Sequence, residues 1–452
     1  MNPSEHPLSG DELPRLRSAL PGPVASGLVE QLARVECPGL TARRKRREEL
    51  TGASHDPIVW AAARGANVLD ADGNLYVDMT AGFGAALLGH THPRVVEAVQ
   101  RQSAVMLHAL GDVYPSAGKI ALETRLSAMA PWAARVILGL SGADAVEAAL
   151  KSAMLHTRRA GVIAFEGAYH GLSYGAVSVC GYKRAFRAPF EGQLNAAVRF
   201  APFADESVPG SAERSLDAVD ALLATGEIGA VIVEPVQGRG GVVIPPDGFL
   251  AGLRARTRDR GAVLIADEIY TGLYRTGPRF RAVTEDADPD VICLGKALGG
   301  GVPVSACLLR EEVARAWGDS VGEAIHTSTF LGNPLACAAA LASLDLLEDP
   351  STRDTLRVAG ERLSSSLGTL ADDRSLGIQR VSRCGLLAGV TVEGGVSRAL
   401  SVMRAMLERG YIVLPGGVAG DVLTLTPPAC LTDAQLAGFT RALAETLRGV
   451  RP

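Results

Sequence analysis

Of the five lysines in this 452-residue chain, one stands where a lysine can act as a nucleophile. Lys296 ends the apolar run Asp290-Val-Ile-Cys-Leu-Gly and opens the glycine-rich stretch Ala297-Leu-Gly-Gly-Gly-Val-Pro. A lysine so placed is desolvated, and its pKa is pushed down toward the neutral amine that forms Schiff bases. Lys45 lies in a charge run, Lys119 and Lys151 fall in helix-like segments, and Lys183 sits in a basic stretch, so the setting is unique to Lys296. Taken alone, it reads as a strand-end lysine snorkelling toward water.

Its surroundings change that reading. Gly261-Ala-Val-Leu-Ile-Ala-Asp-Glu268 has the continuous apolar character of a buried strand that delivers Asp267 at its C-terminal end, the edge of an open α/β sheet where ligands bind. A carboxylate and a lysine there suit a pyridoxal phosphate site: the acid keeps the pyridine nitrogen protonated and the lysine holds the aldehyde. Asp267 by itself also reads as a helix cap or an ion-pair partner. Ser141-Gly142-Ala143-Asp144 joins a strand to a helical segment, whose open N–H groups and positive dipole end suit a phosphate; a plain cap by Ser141 or Asp144 is the other reading. Tyr169 and His170 follow the strand-like Val162-Ile-Ala-Phe, where a ring can stack on a planar cofactor or pack at the core edge. Glu234 follows Ala230-Val-Ile-Val at the same predicted edge and reads equally as a structural salt bridge.

The elements that must hold these residues alternate. Strand-like segments at 135–138, 162–165, 230–233, 262–266 and 290–294 are interleaved with helical ones at 144–159 and 248–259, which predicts an α/β fold with a mostly parallel sheet covered by helices on both faces. Before them, residues up to about 23 look loosely held, helices are expected at 27–36 and 41–50, and Asp72-Gly-Asn74 between apolar runs predicts a hairpin, followed by a helix over 93–107. Beyond about 334 the pattern becomes that of a smaller α+β domain: helices at 335–347 and 352–370, strands at 386–392, 411–414 and 422–425, and a closing helix at 432–447. The expected division is an N-terminal segment 1–65 contributing to the small domain, a large cofactor-binding domain 66–334, and a small domain 335–452.

Composition narrows the function classes. With 47% hydrophobic and 21% charged residues and a net charge of −4, the chain reads as an ordinary globular protein with no bias toward nucleic acid or anionic membranes. The basic run 43–47 is followed at once by Glu48-Glu49, which favours a solvated helix face. Seven cysteines without Cys-x-x-Cys spacing argue against a disulfide framework or a zinc site and fit a reducing cytoplasm. His90-x-His92 is too sparse for a metal site, and neither a signal pattern nor a membrane-length apolar run is evident.

Over about residues 70–428 the chain resembles the class III aminotransferases, pyridoxal phosphate enzymes of fold type I. The carrying motifs are Gly89-His-Thr-His-Pro, Ser141-Gly-Ala-Asp-Ala-Val-Glu, Ala168-Tyr-His-Gly, Glu234-Pro-Val-Gln-Gly, Asp267-Glu-Ile-Tyr-Thr-Gly-Leu-Tyr-Arg-Thr-Gly, Gly295-Lys-Ala-Leu-Gly-Gly-Gly and Thr327-Ser-Thr-Phe-Leu-Gly-Asn-Pro. The resemblance implies that Lys296 forms the internal aldimine, Asp267 pairs with the pyridine nitrogen, Tyr169 stacks on the ring, and Gly142 and Ala143 bind the phosphate through backbone amides. It places His170, Glu234 and Tyr270 beside the cofactor and has Thr329 reach the phosphate in the neighbouring subunit of a homodimer. The implied reaction is ping-pong transfer of an amino group from an amine or amino acid to a keto or aldehyde acceptor. A racemase, an epimerase or an aminomutase on the same fold is the alternative, and a catalytically silent cofactor-binding regulator a more distant one.

The departures from the family pattern concern the substrate side. Tyr270 stands where glutamine is usual beside the cofactor's phenolic oxygen, and Ala143 replaces Ser or Thr. Thr424 occupies the place of a carboxylate-gripping arginine, Arg239 that of the glutamate which masks it, and Leu172 that of the arginine of 4-aminobutyrate-type enzymes. A substrate carboxylate is therefore not expected to be held in the usual way, and Arg239 either grips an anionic group from a new direction or is a solvated surface arginine. Phe83 and Tyr114 are further pocket candidates that read as well as packing residues.

Overall fold

The structure, a computed structural model, describes residues 8–318 and 322–450, apart from the side chains of 40–43. It divides into two units, Met1–His92 with Thr355–Pro452, and Pro93–Asp354.

In the first unit, strands β1 (Trp60–Arg64), β2 (Asn67–Asp70) and β3 (Leu75–Asp78) form an antiparallel meander. The turn between β2 and β3 is built as its sequence demands: Gly73 has φ +82°, and Asp70 accepts the amides of Asp72 and Asn74. Residues 8–22, expected to be loosely held, are instead tied down. Arg15 and Leu75 exchange two backbone hydrogen bonds of 2.9 Å, and Asn67 Oδ1 accepts the Glu12 amide at 2.9 Å. The buried asparagines supply partners that a polar N-terminal segment would otherwise find only in water. Residues 1–7 lie outside the described residues. The basic run falls on the helix Pro38–Thr51, where Lys45 and Arg46 are exposed; the side chain of Arg43 lies outside the described residues.

The second unit is organised by one sheet of β4 (Ala134–Gly139), β5 (Gly161–Phe165), β6 (Val198–Ala201), β7 (Ile228–Val233), β8 (Val263–Asp267), β9 (Val291–Leu294) and β10 (Ser305–Arg310), in the order β4-β10-β9-β8-β7-β5-β6. β10 runs antiparallel to both its neighbours, and the other pairs are parallel. Both faces are covered, and alternate residues divide between them. Val162, Ala164, Ile232, Val263 and Ile265 pack with Ala145, Val146, Ala149 and Ala153 of the helix Gly142–Thr157. Ile163, Phe165, Val231, Val233 and Leu264 pack on the opposite side with Val219 and Leu223 of the helix Ser211–Leu223 and Leu250 and Leu253 of the helix Phe249–Asp259. This is the doubly covered α/β sheet that the alternating pattern predicts.

The C-terminal part of the first unit holds β11 (Ile378–Cys384), β12 (Leu387–Val392), β13 (Tyr411–Ile412), β14 (Leu414–Gly416) and β15 (Val422–Leu425). β11-β12-β15-β14 form an antiparallel sheet, whereas β13 pairs parallel with β3. Pairing of β13 with β3 is the physical reason that residues 66–92 fall with the C-terminal segment and not, as the sequence reading had it, with the large domain. Conversely, the helix Pro334–Leu347 packs on the helices Pro93–Val105 and Ala117–Met129, so residues 335–354 belong to the large unit. The predicted strand 411–414 is split at Val413 between two sheets, and β11 and the helix Gly395–Leu407 were not anticipated.

Candidate active site

Strands β4, β5, β7, β8 and β9 point the same way, because β10 reverses direction between β9 and β4. Their C-terminal ends therefore share one sheet edge, and a candidate residue follows each: Gly142 after β4, Tyr169 and His170 after β5, Glu234 after β7, Asp267 closing β8, and Lys296 just past β9. In sheets of this kind that edge is the ligand-binding one.

Lys296 begins the single turn Lys296–Gly299 with φ +27°, a left-handed backbone that few non-glycine residues adopt and that clusters at functional sites. Its Nζ lies 4.1 Å from the centroid of the Tyr270 ring. Burial lowers its pKa from the ordinary lysine value; the charges of Arg275 and Arg239 act in the same direction, and Asp267 and Glu234 oppose them.

Asp267 is 3% exposed, with Oδ2 2.7 Å from His170 Nδ1 and Oδ1 accepting the Ile269 amide at 3.1 Å. A tautomer with the proton on Nδ1 makes the histidine the donor, and its buried Nε2 has no hydrogen-bond partner among the described residues. Glu234 Oε1 accepts the Tyr169 amide at 2.8 Å and Oε2 the Gly238 amide at 3.1 Å, so this carboxyl ties the turn after β5 to the turn after β7. Burial, with the like charge of Asp267 adding to it and His170 opposing, pushes its pKa up to about 7. Glu268, which accepts the Ala282 amide at 2.7 Å, is also raised to about 7 by burial.

At the helix start, Ser141 Oγ accepts the Asp144 amide while the Asp144 carboxylate accepts those of Leu140 and Ser141 at 2.9 Å, a capping box. The cap is thus real, and it leaves the amides of Gly142 and Ala143 without partners among the described residues. The surroundings require small residues: a Cβ on Gly142 would stand 3.0 Å from Ile269, and one on Gly171, where φ is +113°, 2.8 Å from Ala143 Cβ.

Arg239 is exposed, yet its guanidinium carbon lies 4.4 Å from the Tyr169 ring centroid, 5.2 Å from that of Tyr182 and 5.5 Å from that of Phe186. Burial raises the pKa of both tyrosines, against the pull of the neighbouring Arg239 charge. Gly238 brings this residue to the site: a Cβ there would be 2.2 Å from Tyr270 Cδ1, so the backbone lies directly on the ring beneath Nζ.

The remaining candidates are not gathered here. Thr329, Leu172 and Tyr114 are exposed. Phe83 and Thr424 belong to the other unit: Phe83 is 69% exposed with φ +60°, and Thr424 is buried on β15 with an Oγ1 that has no hydrogen-bond partner among the described residues. Conversely, the sequence reading did not single out Gly238, Ile269, Arg275, Tyr182 or Phe186. Gly238 was visible inside the Gln-Gly motif; the four-residue spacing of Tyr182 and Phe186 was a signal only in hindsight of the fold. Arg275 is 1% exposed, and burial brings its pKa down to about 10.

The family model described as aminotransferase class-III matches residues 51–447. Among relatives, the chain is 38% identical over 397 residues to acetylornithine aminotransferase of Methanopyrus kandleri, covering 87% of this chain and 95% of the relative. It is 35% identical over 414 residues to adenosylmethionine-8-amino-7-oxononanoate aminotransferase of Synechococcus elongatus, covering 87% and 95%. In structure it resembles ornithine aminotransferase of Toxoplasma gondii, with TM-score 0.82, 28% identity and 96% of each chain covered. It also resembles an amine transaminase from an uncultivated Pseudomonas species in its PLP-bound form, with TM-score 0.80, 26% identity, and 87% and 95% of the two chains covered.

Proposed function

Because this chain belongs to the class-III aminotransferases, we propose that Lys296 is the amine that bonds the aldehyde carbon of pyridoxal phosphate, with the five strand ends around it forming the reaction site. The protein is a pyridoxal phosphate-dependent aminotransferase of fold type I, moving an amino group between an amine or amino acid and a keto or aldehyde acceptor.

The residues present fit that cofactor. The two open amides of Gly142 and Ala143 offer donors to a phosphate at a helix start. The unpartnered, buried Nε2 of His170 and the buried Asp267 are polar groups that a dry, empty interior would penalise. When bound, the cofactor supplies an aldehyde and an electron-withdrawing ring that stabilises charge at the carbon being deprotonated.

In this reading Asp267 faces the ring nitrogen and His170 orients it, while Tyr169, anchored through its amide to Glu234, presents a ring face for stacking. Tyr270 takes the place of the family's usual glutamine, its phenol serving as hydrogen-bond donor. Lys296 Nζ, displaced by the donor amine, becomes the base that carries a proton from the donor carbon; burial depresses its pKa and so favours the neutral amine that this task needs.

The observation that carries the reading is the convergence of Lys296, Asp267, Glu234, Tyr169 with His170, and the Gly142 amide at one sheet edge. The test is a half-reaction screen: amines are added singly to the cofactor-loaded protein, the bound cofactor's absorbance is followed, and the carbonyl product is identified. Bleaching with a keto or aldehyde product supports transamination. Loss of optical rotation with the amino group retained and no carbonyl product would instead establish racemisation.

We also propose a homodimer that shares its sites. The stretch 105–114 exposes Val105, Leu107, Leu110, Val113 and Tyr114 and lies against the turn of Thr329 and Phe330; the His108 and Phe330 rings are 5.1 Å apart, and Asn333 Nδ2 donates to Leu107 O at 3.0 Å. An apolar surface of this kind is suited to burial against a second copy, which would carry Thr329 toward the neighbouring phosphate. No helix among the described residues is long and apolar enough to cross a membrane, and all seven cysteines are free, in keeping with a cytoplasmic enzyme.

A further inference from the structure

We infer that Arg239, held against Tyr169, Tyr182 and Phe186, binds a carboxylate of the substrate and makes this enzyme selective for amino compounds that carry one; the inference rests on the aminotransferase reading of the same site.

Three observations converge on it. First, Arg239 lacks an acidic partner: no carboxylate lies within ion-pair distance among the described residues, and the nearby Glu234 spends both oxygens on the amides of Tyr169 and Gly238. An exposed arginine in such a place is more often a solvated one, and a free arginine samples many rotamers. This one is stacked. Its guanidinium lies 4.4, 5.2 and 5.5 Å from three ring centroids, and Tyr169 and Tyr182 stand perpendicular, at 88°, with their centroids 6.3 Å apart. Stacking on ring faces leaves the N–H edge of the fork available and removes much of the ordering entropy that a ligand must otherwise offset.

Second, the arginine is anchored to the reacting centre from both sides. Its neighbour Gly238 lies on the ring of Tyr270, above which Lys296 Nζ is placed 4.1 Å away, and the Tyr169 ring beneath the guanidinium belongs to the turn that also carries His170. The charge of Arg239 is felt at Nζ. A substrate whose amine meets Lys296 therefore has a fixed cation within the same site.

Third, no other cation at this edge is free for the task. Arg275 is buried at 1% exposure, and positions 172 and 424 carry leucine and threonine. A planar guanidinium with an open edge takes a carboxylate through two parallel N–H donors, a geometry that lysine cannot reproduce.

The experiment compares Arg239→Gln and Arg239→Lys with the wild type on a pair of amines of equal length, 5-aminopentanoate and pentylamine, using the ratio of their kcat/KM values. The expected result is a loss of about 10- to 100-fold in that ratio for Arg239→Gln, carried by KM, with only partial recovery in Arg239→Lys. Retention of cofactor absorbance in each variant shows that the site has folded. Equilibrium binding of pentanoate to the cofactor-loaded proteins, followed by calorimetry, makes the same comparison without turnover and is expected to weaken by a similar factor. Equal ratios and equal pentanoate affinities in wild type and Arg239→Gln would overturn the inference. Pentanoate binding that depends on Arg239, in a wild type that turns over no amine, would support the carboxylate site and overturn the aminotransferase reading instead.

Discussion

His170 Nδ1 and Asp267 Oδ2 are 2.7 Å apart at the shared edge of the sheet, in a pair whose members are 2% and 3% exposed. The two residues come from turns after different strands, β5 and β8, and β7 lies between those strands. The contact therefore exists only in the folded sheet, and it fixes the carboxylate that is to face the cofactor nitrogen.

Asp267→Asn keeps the shape of that side chain and removes its charge. The rate of the half-reaction should fall by about 10²- to 10⁴-fold, the range for loss of a positioned proton-holding group, while the cofactor remains bound. His170→Gln should cost less, about 10-fold, because it removes one hydrogen bond to a charged group and leaves the carboxylate in place. Stopped-flow measurement of the absorbance change with saturating donor separates the two; equal losses would mean that the histidine does more than orient its partner.

Gly238 marks a contact in which a single methyl group matters. In Gly238→Ala the new Cβ would meet Tyr270 Cδ1 at 2.2 Å, so the ring beneath Lys296 must move. Overpacking of this order destabilises by about 1–3 kcal/mol. The expected outcome is a changed absorbance maximum of the bound cofactor together with a reduced kcat, and Tyr270→Ala in the same chain should restore the fold's stability without restoring the rate. Thermal unfolding and the visible spectrum of the single and double variants check both statements.

Much of this site was legible in the chain because each chemical residue follows a strand whose burial is written in its composition. β7, β8 and β9 are buried along their whole length, and their apolar runs end directly on Glu234, Asp267 and the Gly-Lys296 step. The aromatic surround of Arg239 was not legible, since Tyr182 and Phe186 reach the guanidinium through a loop whose path no periodicity encodes. The domain boundary was misplaced for a related reason. β13 is a two-residue strand whose partner, β3, lies more than 300 positions earlier, and pairing so distant leaves no local trace. The N-terminal segment likewise looked loose because its polar partners, Asn67 and Asn74, lie about 55 residues away.

Glu268 offers a stability test separate from turnover. Its carboxyl is raised from 4.5 to about 7 in the fold, mainly by burial. A raised acid favours the folded state below the unfolded pKa, where it is neutral in both states, and this advantage is lost as pH rises through about 7, where ionisation must occur in a buried place. The window spans about 2.5 units, or roughly 3 kcal/mol at 1.36 kcal/mol per unit. Relative to wild type, Glu268→Gln should therefore be more favourable at pH 8 than at pH 5 by about 2–3 kcal/mol. Urea unfolding at the two pH values measures the difference; a difference of opposite sign would show that the buried carboxyl is ionised in the fold throughout.

The proposed interface predicts that Leu110→Glu with Val113→Glu, both at exposed apolar positions, converts a dimer to monomers and lowers activity together with phosphate-end affinity for the cofactor. Sedimentation velocity and cofactor titration read the two effects. A variant that remained dimeric would place the interface elsewhere.

Lys296 as the covalent anchor is the central claim, and it can be tested chemically. The cofactor-loaded protein is reduced with borohydride, digested, and mapped by mass spectrometry. The pyridoxyl group should appear on the peptide containing Lys296, and prior incubation with a donor amine should remove the label. Recovery of the label on Lys45, Lys119, Lys151 or Lys183 in place of Lys296, or labelling that a reacting amine leaves untouched, would contradict the account.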